Sequence, residues 1–432
     1  MPGVDCRESM RHDNQFRSDG ARRRDGIDCH ASSTPDNRLP VVALLARVSL
    51  LATLAFTFPP AISGTAPFVL DGNRMYAQID FLRPDGSAHR ALAYVDMGGT
   101  SVVIADTLFK ELQIDSTRPM RFKVGALAVQ IPAAAIVSVH RPPRSLAGSD
   151  LRVAAILPAS VLEPYEVVMD YGQRTLTLAH PGTITPRGVA VPFQLDTATG
   201  LIAVNASIDG HAYAITIDNG SAYTWVRQRT ANDWLGAHPT WARGTGAVGA
   251  SNMMMLGDSM ETAGTLMRIP EISVAALTLR DVGVLAAGGG RALTGGLEFF
   301  DWYSKKNAVP VIGWIGGNVL KGFQITVDYP RRTMYWLRQA DPDTTDQDQI
   351  GLTLRAQGGS YFVAAIATKN GVPSVSGVEI GDRLIKIGDL EATNTSFGAI
   401  YGAMHGRAGE TRVLLLERNG TQITVTARVT GF

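Results

Sequence analysis

Two aspartates stand in closely similar settings, Asp96 in AYVDMGGTSVVI and Asp218 in ITIDNGSAYTWV. Each ends an apolar, strand-like run and is followed two positions later by glycine, so each carboxylate is expected where a strand enters a tight loop. Glycine there lets a second backbone come close. Two carboxyls about 3 Å apart cannot both ionise and hold one proton between them. The ionised member can then draw a proton from water while the protonated member polarises a carbonyl. Asp96 and Asp218 are therefore the candidate catalytic pair, with Gly98, Thr100, Asn219, Gly220 and Ser221 as supporting loop residues. Taken alone, either aspartate reads as a turn-capping residue, because Asp is common in glycine-containing turns. Only a pairing of the two gives chemistry.

Other hydrolytic chemistries have few residues to draw on. The two cysteines, Cys6 and Cys29, precede every strand-like segment, so the folded part has no disulfide, no thiol nucleophile and no thiolate site. The eight histidines form no His-x-x-x-His or Cys/His cluster. No metal and no cofactor is expected. The stretch AAGGGRALTGG lacks the Gly-Lys-Ser/Thr ending of a phosphate loop. A formal charge of +1 gives no sign of a nucleic-acid partner.

The elements that must position the pair are mainly β. With 45 glycines and 22 prolines, the composition suits short strands and frequent turns. An internal repeat organises them. MYAQIDFLRPDGSAHRALAYVDMGG and IAVNASIDGHAYAITIDNG both read as a hairpin, turning at Asp85-Gly86 and Asp209-Gly210, that runs into an Asp loop. VLEPYEVVMDYGQRTLTL and VLKGFQITVDYPRRTMYWL close the two copies. The Asp loops are 122 residues apart and the closing segments 158, so the second copy carries 36 additional residues, between Trp241 and Trp302. Asp170 and Asp328 recur in the closing segments and are read as structural, paired with Arg174 and Arg332. Helical pieces are short: IADTLFKELQI, VRQRTANDWL and SFGAIYGAMHGRAGE. Met253-Met254-Met255 reads as a mobile loop or core filler, or as an adaptable peptide-contacting surface.

Residues 1–40 are polar and Arg- and Asp-rich, as in a disordered tail or a stretch upstream of the true start. The apolar run Val41–Phe58, with Arg38 and Arg47 as its basic flank and Gly64 and Ala66 at cleavage spacing, reads as a signal peptide. The alternative is a membrane anchor, for which the run is short. After residue 340 a polar linker, DPDTTDQDQ, leads to a last segment that ends in a hairpin with an Asn419-Gly420 turn.

With these motifs in place, the chain resembles the bacterial retropepsin-like (pepsin-type, bilobal) aspartyl proteases. The two Asp loops are similar to that family's apolar-apolar-Asp-Thr/Ser-Gly pattern, and VIGWIGGNVLKGFQITVDYPRRTMYWL resembles its closing segment. The last segment, with GVEIGDRLIKIGDLEAT and GRAGETRVLLLERNGTQITV, resembles a bacterial PDZ domain. The resemblance implies a mainly-β chain of two tandem acid-protease lobes forming a pepsin-like bilobal domain, plus a C-terminal PDZ domain. The expected boundaries are 1–66 for the tail and signal or anchor, 67–186 for lobe 1, 187–340 for lobe 2, 341–350 for the linker and 351–432 for the PDZ domain. The implied activity is aspartic-type endopeptidase hydrolysis (proteolysis by an aspartyl protease hydrolase) through a shared-proton Asp96–Asp218 dyad. The alternative is a catalytically inactive, protease-like peptide-binding protein. Tyr361, Phe362 and Val363 are expected in the PDZ peptide-binding loop. The implied partners are a polypeptide substrate and a peptide or protein C-terminus, and the implied location is the bacterial periplasm, by export or by anchoring to the inner membrane. The chain departs from the family at Met97 and Asn219, where a hydroxyl residue normally locks the two loops, at Gly99, and at Leu157-Pro158, where Gly is expected. Ser221 keeps the usual residue type and is expected to bond the Asp218 carboxylate. The hairpin around Gly125 is the candidate flap, with Phe122 as its one aromatic.

Overall fold

The computed structural model describes residues 61–139, 152–246, 260–289 and 294–432. The apolar run Val41–Phe58, both cysteines and Met253–Met255 lie outside the described residues. The chain is mainly β. The first repeat supplies β1 (Ser63–Asp71), β2 (Arg74–Leu82), β3 (Ala88–Asp96), β4 (Val102–Ala105), β5 (Met120–Val124), β6 (Leu127–Ile131), β7 (Ile136–Val139), β8 (Val153–Pro158), β9 (Glu166–Asp170) and β10 (Thr175–Ala179). The second supplies β11 (Val189–Leu195), β12 (Ile202–Ile208), β13 (His211–Ile217), β14 (Thr224–Arg227), β15 (Arg243–Gly246), β16 (Gly264–Val274), β17 (Leu277–Ala287), β18 (Gly313–Ile315), β19 (Phe323–Asp328) and β20 (Thr333–Arg338). Among the described residues no helix is long and apolar enough to cross a membrane.

One pairing pattern occurs twice. β8 runs parallel to β3 and antiparallel to β4, so it lies between them. The chain leaving β3 at Asp96 must therefore pass over the end of β8 to reach β4. β18 stands in the same relation to β13 and β14, and Asp218 follows β13. The ends of β3 and β13 that lead into the Asp loops are buried on both faces, Ala93–Val95 and Ile215–Ile217, which suits their short apolar runs there. Asp209 and Gly210, at φ 53° and 75°, form the two-residue turn between β12 and β13 that an Asp-Gly pair favours.

The repeats join edge to edge in the strand order β1–β10–β9–β19–β20–β11. The centre is the antiparallel pair β9–β19, with Asp170 opposite Gln324 and Asp328 opposite Glu166. Asp170 accepts hydrogen bonds from Gln324 Nε2 (2.8 Å), Gln339 Nε2 (2.9 Å) and the Gln173 amide (2.8 Å). Asp328 binds Arg331 at 2.6 Å. The expected partners Arg174 and Arg332 instead occupy the turns, at φ 57° and 49°, where the chain must reverse between paired strands. Gly64 and Ala66 lie inside β1, opposite Leu178 and Leu176. A cut at either would remove part of the sheet's outer strand.

The hairpin around Gly125 does not stand free as a flap would. A Cβ on Gly125, which has φ +56°, would sit 2.5 Å from Thr65 O, and one on Gly64 would sit 1.9 Å from Val124 O. β5 also pairs with β2, and Phe122 is buried against Phe81 with ring centroids 5.9 Å apart. The apolar face of this hairpin is committed to the core of the first repeat.

The C-terminal module contains β21 (Leu352–Gln357), β22 (Ser360–Ile366), β23 (Thr368–Lys369), β24 (Val372–Pro373), β25 (Arg383–Ile387), β26 (Leu390–Glu391), β27 (Thr411–Arg418) and β28 (Thr421–Arg428). The sheet runs β21–β22–β25–β27–β28, alongside a helix, Phe397–Met404, capped by Ser396 accepting from the Ala399 amide. Tyr361, Phe362 and Val363 are not in a loop: they lie within β22, hydrogen-bonded to β21 on one side, with Tyr361 and Phe362 also paired to β25 on the other. Tyr361 and Val363 are buried. Their alternating apolar character belongs to a central strand, which has no free edge to offer a peptide.

The module is packed on the repeats. Asp71, at the tip of the β1–β2 hairpin, accepts from Ser396 Oγ and from the Gly398 amide (2.9 Å). The Arg74 guanidinium lies 5.7 Å from the centroid of the Phe397 ring. β15 meets β23 at Thr245–Thr368, where the two hydroxyls are 2.7 Å apart. In the polar segment between the repeats and the module, Asp346, Gln347 and Gln349 are buried.

Candidate active site

Asp96 and Asp218 arrive from the two repeats and meet across the interface. Each carboxylate is held by its own loop: Asp96 Oδ1 accepts the Gly98 amide at 3.0 Å, and Asp218 Oδ1 accepts those of Gly220 (2.9 Å) and Ser221 (3.0 Å). Each also rests on the glycine of the opposite loop. A Cβ on Gly98 would lie 2.2 Å from Asp218 Cγ, and one on Gly220 would lie 2.4 Å from Asp96 Oδ1. Any larger residue at either glycine would push the carboxyls apart. The two carboxyls interact closely enough to shift each other's protonation, and burial is the main force on both. Asp218 is 5% exposed and its pKa is raised well above the usual carboxylate range by burial and then by the Asp96 charge. Asp96 keeps part of its surface open, and burial still raises it to about 6 against the hydrogen bonds it accepts. The arrangement suits a pair in which Asp96 ionises first and Asp218 retains the proton.

The lock between the loops is asymmetric. Asn219, fully buried, accepts the Met97 amide through Oδ1 at 2.8 Å and donates from Nδ2 to Val95 O at 3.0 Å. One carboxamide thus both donates and accepts across the interface. Met97 is buried among apolar neighbours and forms part of the core. Ser221 contributes its amide, not its hydroxyl, to Asp218; Ser221 Oγ donates to Tyr223 O at 2.8 Å. Thr100 is half-buried and is not among the groups bonded to Asp96.

Pro158 is matched by a second change. In the second repeat the Gly316 amide donates to Thr224 Oγ1 at 3.2 Å. The corresponding first-repeat residues are Pro158, which has no N–H, and Val102, which has no hydroxyl. Donor and acceptor are missing together, so no buried group is orphaned there. The neighbouring loop contact is kept in both copies: Ala159 N donates to Gly99 O at 3.4 Å and Gly317 N to Ser221 O at 2.7 Å.

Two tyrosines that sequence reasoning missed cross-link the loops. Tyr94 donates to Gly220 O, and Tyr303 donates to Gly98 O at 3.1 Å. Both phenols are buried, and desolvation raises both well above the ordinary tyrosine value, with the nearby aspartates adding to it. Each therefore stays protonated and remains a donor. Tyr94 was within reach of a sequence reading, two residues before Asp96. Tyr303 was not, because the helix Phe299–Ser304 that carries it has no counterpart motif in the first repeat. Among the described residues no cluster of three or more His, Cys, Asp or Glu side chains could hold a metal. No family model matches the chain, and no curated protein is found to be similar to it.

Proposed function

We propose that the chain is an aspartic-type endopeptidase built from two retropepsin-like lobes, with Asp96 and Asp218 as its catalytic dyad. The observation that carries this reading is the pair of buried carboxyls, one from each repeat, each seated on the other's loop glycine. Asp96, ionised, takes a proton from a water molecule as that water's oxygen attacks the peptide carbonyl carbon. Asp218 donates its proton to the carbonyl oxygen, giving a neutral tetrahedral diol. On collapse the proton held by Asp96 passes to the departing nitrogen and Asp218 recovers its own from the hydroxyl, so both carboxyls return to their starting state. No covalent enzyme intermediate forms.

The C-terminal module is assigned to the PDZ class, whose members bind an extended peptide by adding it as a strand. β21, which pairs with a neighbour through β22 alone, and the helix Phe397–Met404 are the elements for that addition. Tyr401 already occupies part of this edge, since its hydroxyl accepts the Leu354 amide at 3.0 Å. The apolar run Val41–Phe58 supports an exported, periplasmic location.

The test is cleavage of casein and of a peptide library by the wild type, Asp96→Asn and Asp218→Asn. The wild type should cleave and be inhibited by a statine-type peptide, and both variants should lose at least about a thousandfold, as expected when a member of a catalytic unit is removed. Equal background cleavage in all three would leave the chain as a peptide-binding relic.

A further inference from the structure

The groups behind the Asp218 loop come in part from outside the second repeat. Tyr223, 5% exposed, donates from its hydroxyl to Asp346 O at 2.9 Å and lies 3.3 Å from His405 Nε2. The carbonyl of Tyr223 accepts from Ser221 Oγ at 2.8 Å and from Trp314 Nε1 at 3.2 Å. The Asp346 carboxylate, also 5% exposed, accepts from Asn318 Nδ2 at 2.7 Å and from Arg268 Nη2 at 3.0 Å. Asn318 in turn accepts the Thr224 amide at 2.7 Å and the Thr224 hydroxyl at 3.0 Å, and its own amide donates to Ala222 O at 3.0 Å. The stretch from Ser221 to Thr224 therefore reaches Asp346 through a single intermediary at each step. Gly283 makes room for this carboxylate, since a Cβ there would lie 2.5 Å from both Asp346 oxygens.

The first repeat has no equivalent. Its residues at the positions of Tyr223, Thr224 and Asn318 are Ser101, Val102 and Ser160. Ser101 and Ser160 are exposed and Val102 carries no polar group. The Asp96 loop is instead held from within the interface, by Asn219 and Tyr303. Buried polar networks with every member bonded fix geometry more strongly than their separate bonds suggest. His405 fits this role as a neutral group: burial lowers its pKa to about 4, so it places no charge beside Tyr223.

We propose that Asp346 and Tyr223 are positioning residues for the Asp218 half-site, and that the segment 341–350, together with His405 of the C-terminal module, is thereby a constituent of the active site's framework. Where it concerns activity, the inference rests on the peptidase reading above. Displacing segment 341–350 would withdraw Asp346 and loosen the Asp218 loop while leaving the Asp96 loop in place.

The experiment uses the full chain and the variants Asp346→Ala, Asp346→Asn and Tyr223→Phe. Hydrogen exchange by mass spectrometry follows peptides covering 218–224 and 96–100, and kcat and KM are measured on a peptide substrate. Asp346→Ala should speed exchange in 218–224 by about tenfold or more, leave 96–100 as in the wild type, and lower kcat with little change in KM. Asp346→Asn keeps a carbonyl oxygen for Asn318 and should recover most of both. Tyr223→Phe should give the same pattern in smaller measure, and it carries the test if Asp346→Ala does not fold. Unchanged exchange in 218–224, or a uniform rise along the whole chain, overturns the proposal. A wild type that cleaves nothing removes the peptidase reading, and the exchange data then decide the positioning role alone.

Discussion

Asn219→Ala removes the one side chain that locks the two Asp loops from both sides. Its amide oxygen and nitrogen satisfy Met97 N–H and Val95 C=O, both in the buried interface. Truncation leaves two backbone groups without partners, each costing about 1–3 kcal/mol when buried and unpaired. The combined local cost is therefore about 2–6 kcal/mol, before any relaxation or entry of water. Taking the lower end, and a factor of ten per 1.4 kcal/mol, the Met97 amide should exchange about 30-fold faster in the variant. Exchange measured at the peptide spanning Val95–Gly99 gives the local effect, and thermal melting gives its share in the whole. Asn219→Thr is the control, because one hydroxyl can accept an N–H and donate to a carbonyl; it should retain most of the protection. If Asn219→Ala leaves the Met97 amide as protected as in the wild type, or if Thr behaves like Ala, the lock has been misread.

The other expectations concern protons, the paired loss at Pro158 and the seat of the module. Burial raises both dyad carboxyls, Asp96 to about 6 and Asp218 well above the ordinary range, so the singly protonated pair forms as pH rises through about 6. The ratio kcat/KM should therefore climb through that value, and a profile that falls there would contradict the assignment. The same raised values mean that the folded chain holds protons the unfolded chain releases. The stability Asp96 contributes is full below the ordinary carboxylate value and is lost as pH rises through about 6, and Asp96→Asn should flatten that slope in melts taken across the window. Val102→Thr and Pro158→Gly should each be neutral or destabilising alone and couple favourably by about 1 kcal/mol together, as one restored hydrogen bond; a double-mutant cycle by thermal melting measures it. Asp71→Ala withdraws two acceptor bonds from the start of the helix Phe397–Met404 and should cost the docked module about 1–3 kcal/mol, read as faster limited proteolysis within 341–350.

Local pattern was the part of the fold most open to reading. The Asp209-Gly210 and Asn419-Gly420 turns lie where dipeptides needing positive φ were read, and all four residues have it. The helices near 106 and 228 follow the Asp loops as their apolar spacing indicates. The duplicated closing segments return as β9–β10 and β19–β20, the middle of the joining sheet. What escaped was everything decided by contacts distant in sequence. Met97 and Pro158 each read as a loss, because their compensations, Asn219 and Val102, act on groups from another strand or the other repeat. Arg331, not the matched Arg332, pairs with Asp328 because the turn gives Arg332 a positive φ. Tyr361-Phe362-Val363 was misplaced because an alternating aromatic strand and a glycine-flanked binding loop begin with the same residues, and only strand order separates them. The segment 341–350 is as polar as a solvated linker, yet Asp346 lies buried beside Arg268 and Asn318, partners that local composition does not register.

The placement of Asp346 has a consequence for the order in which the molecule is made. A chain synthesised from its N-terminus completes both Asp loops well before the residues that hold the second one in place. Until Asp346 and the module containing His405 have emerged and docked, the Tyr223 hydroxyl lacks its acceptor, Asn318 lacks its bond to the Asp346 carboxylate, and the Asp218 loop lacks this part of its support. If the proposed positioning role holds, the nascent chain is thus kept from the finished arrangement by its own unfinished state. On the proposed peptidase reading, a pair so arranged does not mature while the polypeptide is still being extended, and truncation anywhere before residue 346 yields two carboxylates without the full set of bonds around the Asp218 loop.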